Sequence, residues 1–283
     1  MEFDFTDPEF IANPWPVYEM HREDGGVAWV PKVGCYVLTS YAAVRSGLTG
    51  SKLSANYPLR ASRRLLGPNL LDTEGNLHRI LKQVVTPFLS MDAVRRLKDT
   101  AVSQAIGEVE QFLYATGERA RFDLVSDVAE RVPYLVMADI LGFPRADLRW
   151  LFNEVRPIVE ALDYPLPESS DAAERAKDIV TQYCHDRLDG QAAEANMTIR
   201  GSLSRLVAAG DLDSEKALSS LLLMIIAASE TSISAIANVS YRLLASGWET
   251  DTDIGRYVDE SLRLDPPLHS VLRFATDDWN IGD

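Results

Sequence analysis

One run of apolar periodicity constrains this chain more than any other feature. From a capping position at Asp213 or Ser214 to about Ala245, hydrophobic residues recur at helical spacing without a break. Roughly 32 residues of helix reach about 48 Å at ~1.5 Å per residue, enough to cross a whole domain. From Leu221 to Ala228 the run is apolar around its whole circumference, so other elements must cover it on several sides. Those eight residues are the longest apolar run in the chain and fall well short of the ~20 that span a bilayer. The middle of the helix reads AASET, Ala227 to Thr231. Three small side chains leave room beside the helix, and Glu230 costs several kcal/mol if it is buried without a partner, so something approaches the helix there.

The rest of the pattern is mostly helical. Apolar residues at spacings of three and four predict helices over Val17–Glu23, Gly75–Leu89, Ala93–Thr116, Leu124–Leu141, Arg145–Leu162, Ala172–Leu188 and Ser202–Ala209. A further helix starts near Asp253 and is stopped by Pro266 and Pro267. Two short β-branched and aromatic runs, Val27–Val30 and Cys35–Thr39, flank Pro31-Lys32-Val33-Gly34 and predict a hairpin. Two prolines and two serines between Asp163 and Asp171 predict a surface loop. The fold class is therefore mainly α with a small β-hairpin near the N-terminus, in a single domain over 1–283.

Composition narrows the function. With 46% hydrophobic and 25% charged residues the chain is globular, not disordered. A net charge of -14, from 28 Lys and Arg against 42 Asp and Glu, repels phosphate backbones and anionic lipid, so neither nucleic acid nor membrane is expected as a partner. Two distant cysteines, Cys35 and Cys184, form no CxxC, and Met1 is followed by acidic residues rather than a basic, apolar leader; both point to the cytoplasm. Hydrolase elbows, dinucleotide and phosphate loops and zincin motifs are missing, and four scattered histidines make no metal site of side chains alone.

Three small constellations remain. His78 and Lys82, four apart on one helix face, either present donors to a carboxylate or form a solvated basic face. Glu230 with Thr231 is either a proton-delivery couple or an acid satisfied by some neighbour. Glu260 and Arg263, three apart, suit a helical ion pair.

Taken in chain order, AASET, then EsLRldPP at Glu260 to Pro267, then Arg273 followed by Ala275 and Asp277 resemble the cytochrome P-450 family, the haem-thiolate monooxygenases, and particularly its bacterial members. The resemblance extends through Asp7 to Leu48, through LLDTEGNLHRILKQVVTPF at Leu70 to Phe88, and through Phe122 to Pro144, so it covers essentially the whole chain. It implies a haem b cofactor. His78 and Lys82 would partner one propionate and Arg273 the other, charge-assisted contacts of the stronger kind. Lys82 stands where the family more often has Arg, and Asn76 and Leu77 depart from its usual Pro and acid. Ala227 and Ala228 would lie over the haem's distal face in a kinked part of the helix, where Ala-Gly is commoner. Thr231 would order the oxygen-site water, Glu230 would relay protons, and Glu260 and Arg263 would be a buried structural pair.

The reaction implied by the resemblance inserts one O2-derived oxygen atom into a small apolar substrate, with secondary metabolism as its expected setting. Its electrons come from NAD(P)H through a ferredoxin and ferredoxin reductase. Arg60, Arg63, Arg64, Arg79, Lys82, Arg95, Arg96 and Lys98 outnumber Asp72, Glu74 and Asp92 locally, and part of this set would dock the acidic ferredoxin. Loops such as Ser54 to Pro68 would line the pocket. The family's axial cysteine lies in a Gly-rich loop that the sequence does not reach before Asp283, and neither Cys35 nor Cys184 stands in a matching context, so no metal ligand is assigned. The chain is accordingly expected to be a truncated, incomplete domain that leaves Leu221–Ala228 partly uncovered, aggregates and binds haem poorly. The alternative is a haem-free relative that serves as a non-catalytic partner, for example of a glycosyltransferase.

Overall fold

The computed structural model describes residues 3–116, 123–163, 171–188, 198–247 and 253–280. They form two compact units, one of Met1–Tyr57 with Leu272–Asp283 and one of Pro58–Val271.

In the first unit, helices α1 (Pro8–Ala12) and α2 (Trp15–Glu23) precede the hairpin of β1 (Val27–Val30) and β2 (Cys35–Leu38). The strands are antiparallel with Val27 opposite Leu38 and Val30 opposite Cys35, the register that a turn at Pro31–Gly34 imposes. Alternation puts Ala28 and Val30 inward with Phe3, Phe10 and Val17, while Trp29 and Tyr36 pair across the outer face at 4.9 Å. Helix α3 (Tyr41–Thr49) is capped by Ser40 Oγ, which accepts from Ala43 N at 3.3 Å. Strand β3 (Leu53–Ser54) pairs with β4 (Phe274–Ala275), and Thr276 N donates to the Lys52 carbonyl at 2.9 Å, so the far end of the chain closes this unit.

The second unit is wholly helical among its described residues. It contains α4 (Ala61–Leu66), α5 (Gly75–Leu89), α6 (Met91–Thr116), α7 (Arg131–Leu141), α8 (Arg145–Glu154), α9 (Arg156–Asp163), α10 (Asp171–Leu188), α11 (Ile199–Ala208), α12 (Ser214–Ala245) and α13 (Ile254–Leu264). The predicted bounds of α5 and α12 hold, and α4 corrects the reading of Ser54–Pro68 as loop: Ser62, Leu65 and Leu66 are buried on a short helix. The loop expected at Asp163–Asp171 lies outside the described residues over 164–170.

Two predicted helices are each divided, and a proline accounts for both breaks. Pro157 has no N–H for the Asn153 carbonyl, and the helix restarts at Arg156 after Val155. Pro133 likewise offers nothing to the Ala129 carbonyl; a π-helical turn at Val125–Ala129 intervenes, with Glu130 N donating to the Val125 carbonyl at 2.8 Å, before α7 begins.

Helix α12 is the axis of the core. Leu221, Leu222, Leu223, Ile225, Ile226 and Ala228 are all buried among α7 to α11, with Leu141, Leu148, Leu151 and Ile158 facing them from the neighbouring helices. Burying each such side chain is worth about 1.5–3 kcal/mol. The expectation that Leu221–Ala228 would stand partly uncovered is therefore corrected: only Met224 and Ala227 of that run are less than buried. Uncovering falls instead on the C-terminal half of the helix, where Tyr241 and Leu244 are exposed. The whole of α12, unlike its eight-residue apolar run, is long and apolar enough to cross a membrane, and half of its most apolar window is buried in this unit's own core.

Candidate functional site

The centre of α12 carries the acid and the alcohol. The helix runs unbroken through Ala227–Thr231, and Thr231 Oγ1 donates to the Ala227 carbonyl one turn back at 2.6 Å. Its proton is thus committed to the backbone, while its oxygen lone pairs can still accept. Ser229 makes the same kind of closure onto the Ile226 carbonyl at 2.8 Å and is buried. Ala228 is buried and Ala227 is exposed, so the small-residue stretch opens on one side only.

Glu230 is not a buried acid. Its side chain is 39% exposed, with its carboxylate 3.9 Å from Arg156 Nε. Arg156 Nη2 lies 3.6 Å from a Glu130 carboxylate oxygen as well. Neither Arg156 nor Glu130 stands out in sequence; the signals that could have found them are Pro157 and Pro133, whose helix breaks place both residues at helix starts. Tyr134, buried beside this group, has its phenol pushed up first by burial and then by the Glu130 charge, with Arg149 and Arg156 opposing.

On α5, His78 Nδ1 lies 3.1 Å from the Leu70 carbonyl. A carbonyl only accepts, so Nδ1 carries the hydrogen and Nε2 is the atom left for another partner. Lys82 is exposed one turn on, along a shallow groove lined by Arg79, Gln83, Thr86, Pro87 and Ser90. Arg273 belongs to the first unit, where its Nη1 donates to the Leu272 carbonyl at 2.9 Å. Of the basic set, Arg63 lies 3.6 Å from the fully buried Asp72, Arg95 pairs with Asp92 at 3.3 Å, and Arg79 donates to Asn76 Oδ1 at 2.6 Å. Asp72 and Asp92 already stand against the basic set in that count and Asn76 is neutral, so these contacts order three of the arginines without changing the local excess of positive charge.

Glu260 and Arg263 do pair, Arg263 Nε and Nη2 each donating to a carboxylate oxygen at 2.7 Å. Burial is the corrected part. The two side chains are 55% and 66% exposed. The partly buried contact with α12 is made by Asp265, the C-cap of α13: Arg242 Nε donates to its carboxylate, and Asn238 Nδ2 donates to its carbonyl at 3.2 Å.

The donor set for haem is incomplete. Cys184 is fully buried in α10, and burial pushes its thiol up to about 12. Cys35 sits in β2, half-buried, with its thiol also raised by burial. Neither presents a thiolate at neutral pH, and no group of three His, Cys, Asp or Glu side chains among the described residues could hold a metal. The described residues supply donors suited to propionates and no axial ligand, so by themselves they do not fit the group.

No family model matches the chain. It is 24% identical over 282 residues to cytochrome P-450 109 of Bacillus spizizenii, covering 95% of this chain and 67% of that protein. It is 26% identical to the cytochrome P-450 monooxygenase PikC of Streptomyces venezuelae, covering 93% and 65%. The chain thus spans about two thirds of the length of these curated relatives. Among solved structures, P-450BioI in complex with an acyl carrier protein bearing hexadec-9Z-enoic acid superposes with a TM-score of 0.85 at 18% identity, over 97% of this chain and 74% of that one. Epothilone B-bound P-450epoK superposes with a TM-score of 0.81 at 20% identity, over 98% and 74%.

Proposed function

We propose, on the premise that this chain is a homologue of bacterial cytochromes P-450 and carries their fold, that it forms the greater part of a monooxygenase acting on a small apolar organic substrate in secondary metabolism. The observation that carries the reading is the acid–alcohol pair, Glu230 and Thr231, in the middle of the long central helix beside exposed Ala227. The pair interrupts an otherwise apolar helix at the one place where its centre is open, with Arg156 as the partner of the acid. In this reading Glu230 exchanges protons with solvent, to which it is open, and Thr231 accepts a hydrogen bond from a water while its own proton rests on the Ala227 carbonyl. His78 Nε2 and Lys82 would hold one haem propionate and Arg273 the other. Haem b, when bound, would supply the oxygen chemistry. Electrons arrive from a ferredoxin and ferredoxin reductase in the cytoplasm.

The test joins two measurements on the natural protein: its intact mass against 31.4 kDa, and the carbon monoxide difference spectrum of its reduced form. A larger mass with a thiolate-type Soret band supports the monooxygenase. A mass of 31.4 kDa without that band favours the second reading, a haem-free relative that partners another enzyme such as a glycosyltransferase.

A further inference from the structure

We propose that Glu130 is a positioning residue for Glu230, acting through a cation that the two carboxylates share, Arg156. Its guanidinium lies 3.6 Å from Glu130 and 3.9 Å from Glu230, within ion-pair reach of both. Both separations exceed the ~2.7–2.9 Å of a closed charge-assisted hydrogen bond. A small rotation of the Arg156 side chain closes one contact and opens the other.

The fold explains why the cation is held between two acids. Arg156 is the first residue of α9, where the partial positive charge of a helix N-terminus disfavours a guanidinium, so it gains by turning toward carboxylates. It stands there because Pro157 forces the helix to restart. Glu130 stands at the start of α7 because the π-helical turn and Pro133 end the preceding segment, and an acid suits that position. Both restarted helices and the π-helical turn pack on α12, which supplies Glu230. Tyr134 and Arg149 share this field, and Arg131, next to Glu130, is paired with Glu108 at 3.2 Å. All three members are partly open to solvent, at 51% for Arg156, 23% for Glu130 and 39% for Glu230, which leaves room for the side chain to swing.

The consequence is a restraint on the relay acid. While Arg156 faces Glu130, the Glu230 carboxylate is released toward the Ala227–Thr231 opening. When Arg156 faces Glu230, that carboxylate is held. Only what Glu230 delivers rests on the monooxygenase reading; the sharing rests on three charges and two helix breaks.

The experiment is a double-mutant cycle on the natural protein. The coupling between Arg156→Gln and Glu230→Gln is read from the urea unfolding equilibrium, once with Glu130 present and once with Glu130→Gln. Removing Glu130 leaves the cation to Glu230, so the coupling factor should rise about two- to fivefold, the range of partly exposed pairs, and should fade in 1 M salt. Arg156→Lys should restore part of it, since a point charge can still pair. A coupling that Glu130→Gln does not change, or that is zero in both backgrounds, overturns the proposal. The same Glu130→Gln protein should yield less product per NAD(P)H with KM unchanged. A changed coupling beside an unchanged yield supports the shared cation and counts against the monooxygenase role of Glu230, so the two failures are distinguishable.

Discussion

Arg200 Nε donates to the carbonyl of Gly142 at 2.8 Å, tying the first turn of α11 to the residue that ends α7. Its Nη1 donates at 2.6 Å to the carbonyl of Arg187 near the end of α10. Two helix C-termini, whose last carbonyls have no partner within their own helices, are thereby satisfied by one partly desolvated guanidinium. Arg200→Met should lower the stability of the second unit by about 2–3 kcal/mol, the worth of charge-assisted bonds plus the carbonyls left bare. Chemical denaturation checks it.

Gly142 itself is fixed by two constraints. Its φ of +85° is left-handed, and a Cβ there would stand 2.5 Å from Thr198 Oγ1, the N-cap of α11. Gly210 has a similar φ of +78° and open space around it. Gly210→Ala should therefore cost only the backbone term, about 1–2 kcal/mol. Gly142→Ala should cost that plus an overpacking term of about 1–3 kcal/mol. Equal losses in the two variants would show that Thr198 yields freely.

On the proposed reading, Thr231→Ala removes a hydroxyl that bonds only its own helix. Stability should hardly change, since Ala is the better helix former. Product per NAD(P)H should fall on the order of tenfold, with hydrogen peroxide in its place, less than the ~10²–10⁴ of a complete loss of acid–base help because water can stand in. Unchanged coupling of electrons to product removes Thr231 from proton delivery.

Exposure of Glu260 and Arg263 changes what their substitution does. The hydrogen bonds from Arg263 hold the Glu260 carboxyl below its usual range and raise the Arg263 guanidinium. A depressed folded-state value means that the pair's contribution is present above the unfolded glutamate value and is lost as pH falls through the folded one. The small difference in Tm between the native protein and Glu260→Gln should therefore close on acidification below about pH 4 and shrink in salt. A large, salt-insensitive loss of folding would mean that the pair is covered in the natural protein.

Thiol reactivity separates the two cysteines. Cys35 is half-buried on the hairpin, whereas Cys184 is fully buried with its thiol pushed up to about 12. Iodoacetamide at pH 8 should label Cys35 first and leave Cys184 untouched until urea is added, as read by mass spectrometry.

Local chemistry determined much of this protein. Apolar spacing alone located α5 and α12, the Pro-Gly turn located the hairpin, and the acid–alcohol pair stood out because its residue types are a poor choice for packing in an otherwise apolar helix. Such features depend on residues near one another in sequence. Burial and partnership depend on what arrives from elsewhere in the chain. Whether Glu260 and Arg263 are covered depends on what packs on α13 from elsewhere in the chain; Arg242 of α12 closes its ion pair with Asp265, just past the end of α13. The pairing of β3 with β4 joins positions more than two hundred residues apart, and no two-residue strand signals that by itself. Arg156 became a partner of Glu230 only through two proline breaks and the packing of three helices on a fourth. Periodicity is written into adjacent residues, while the electrostatic field at a carboxylate is a sum over charges that only the tertiary structure brings close.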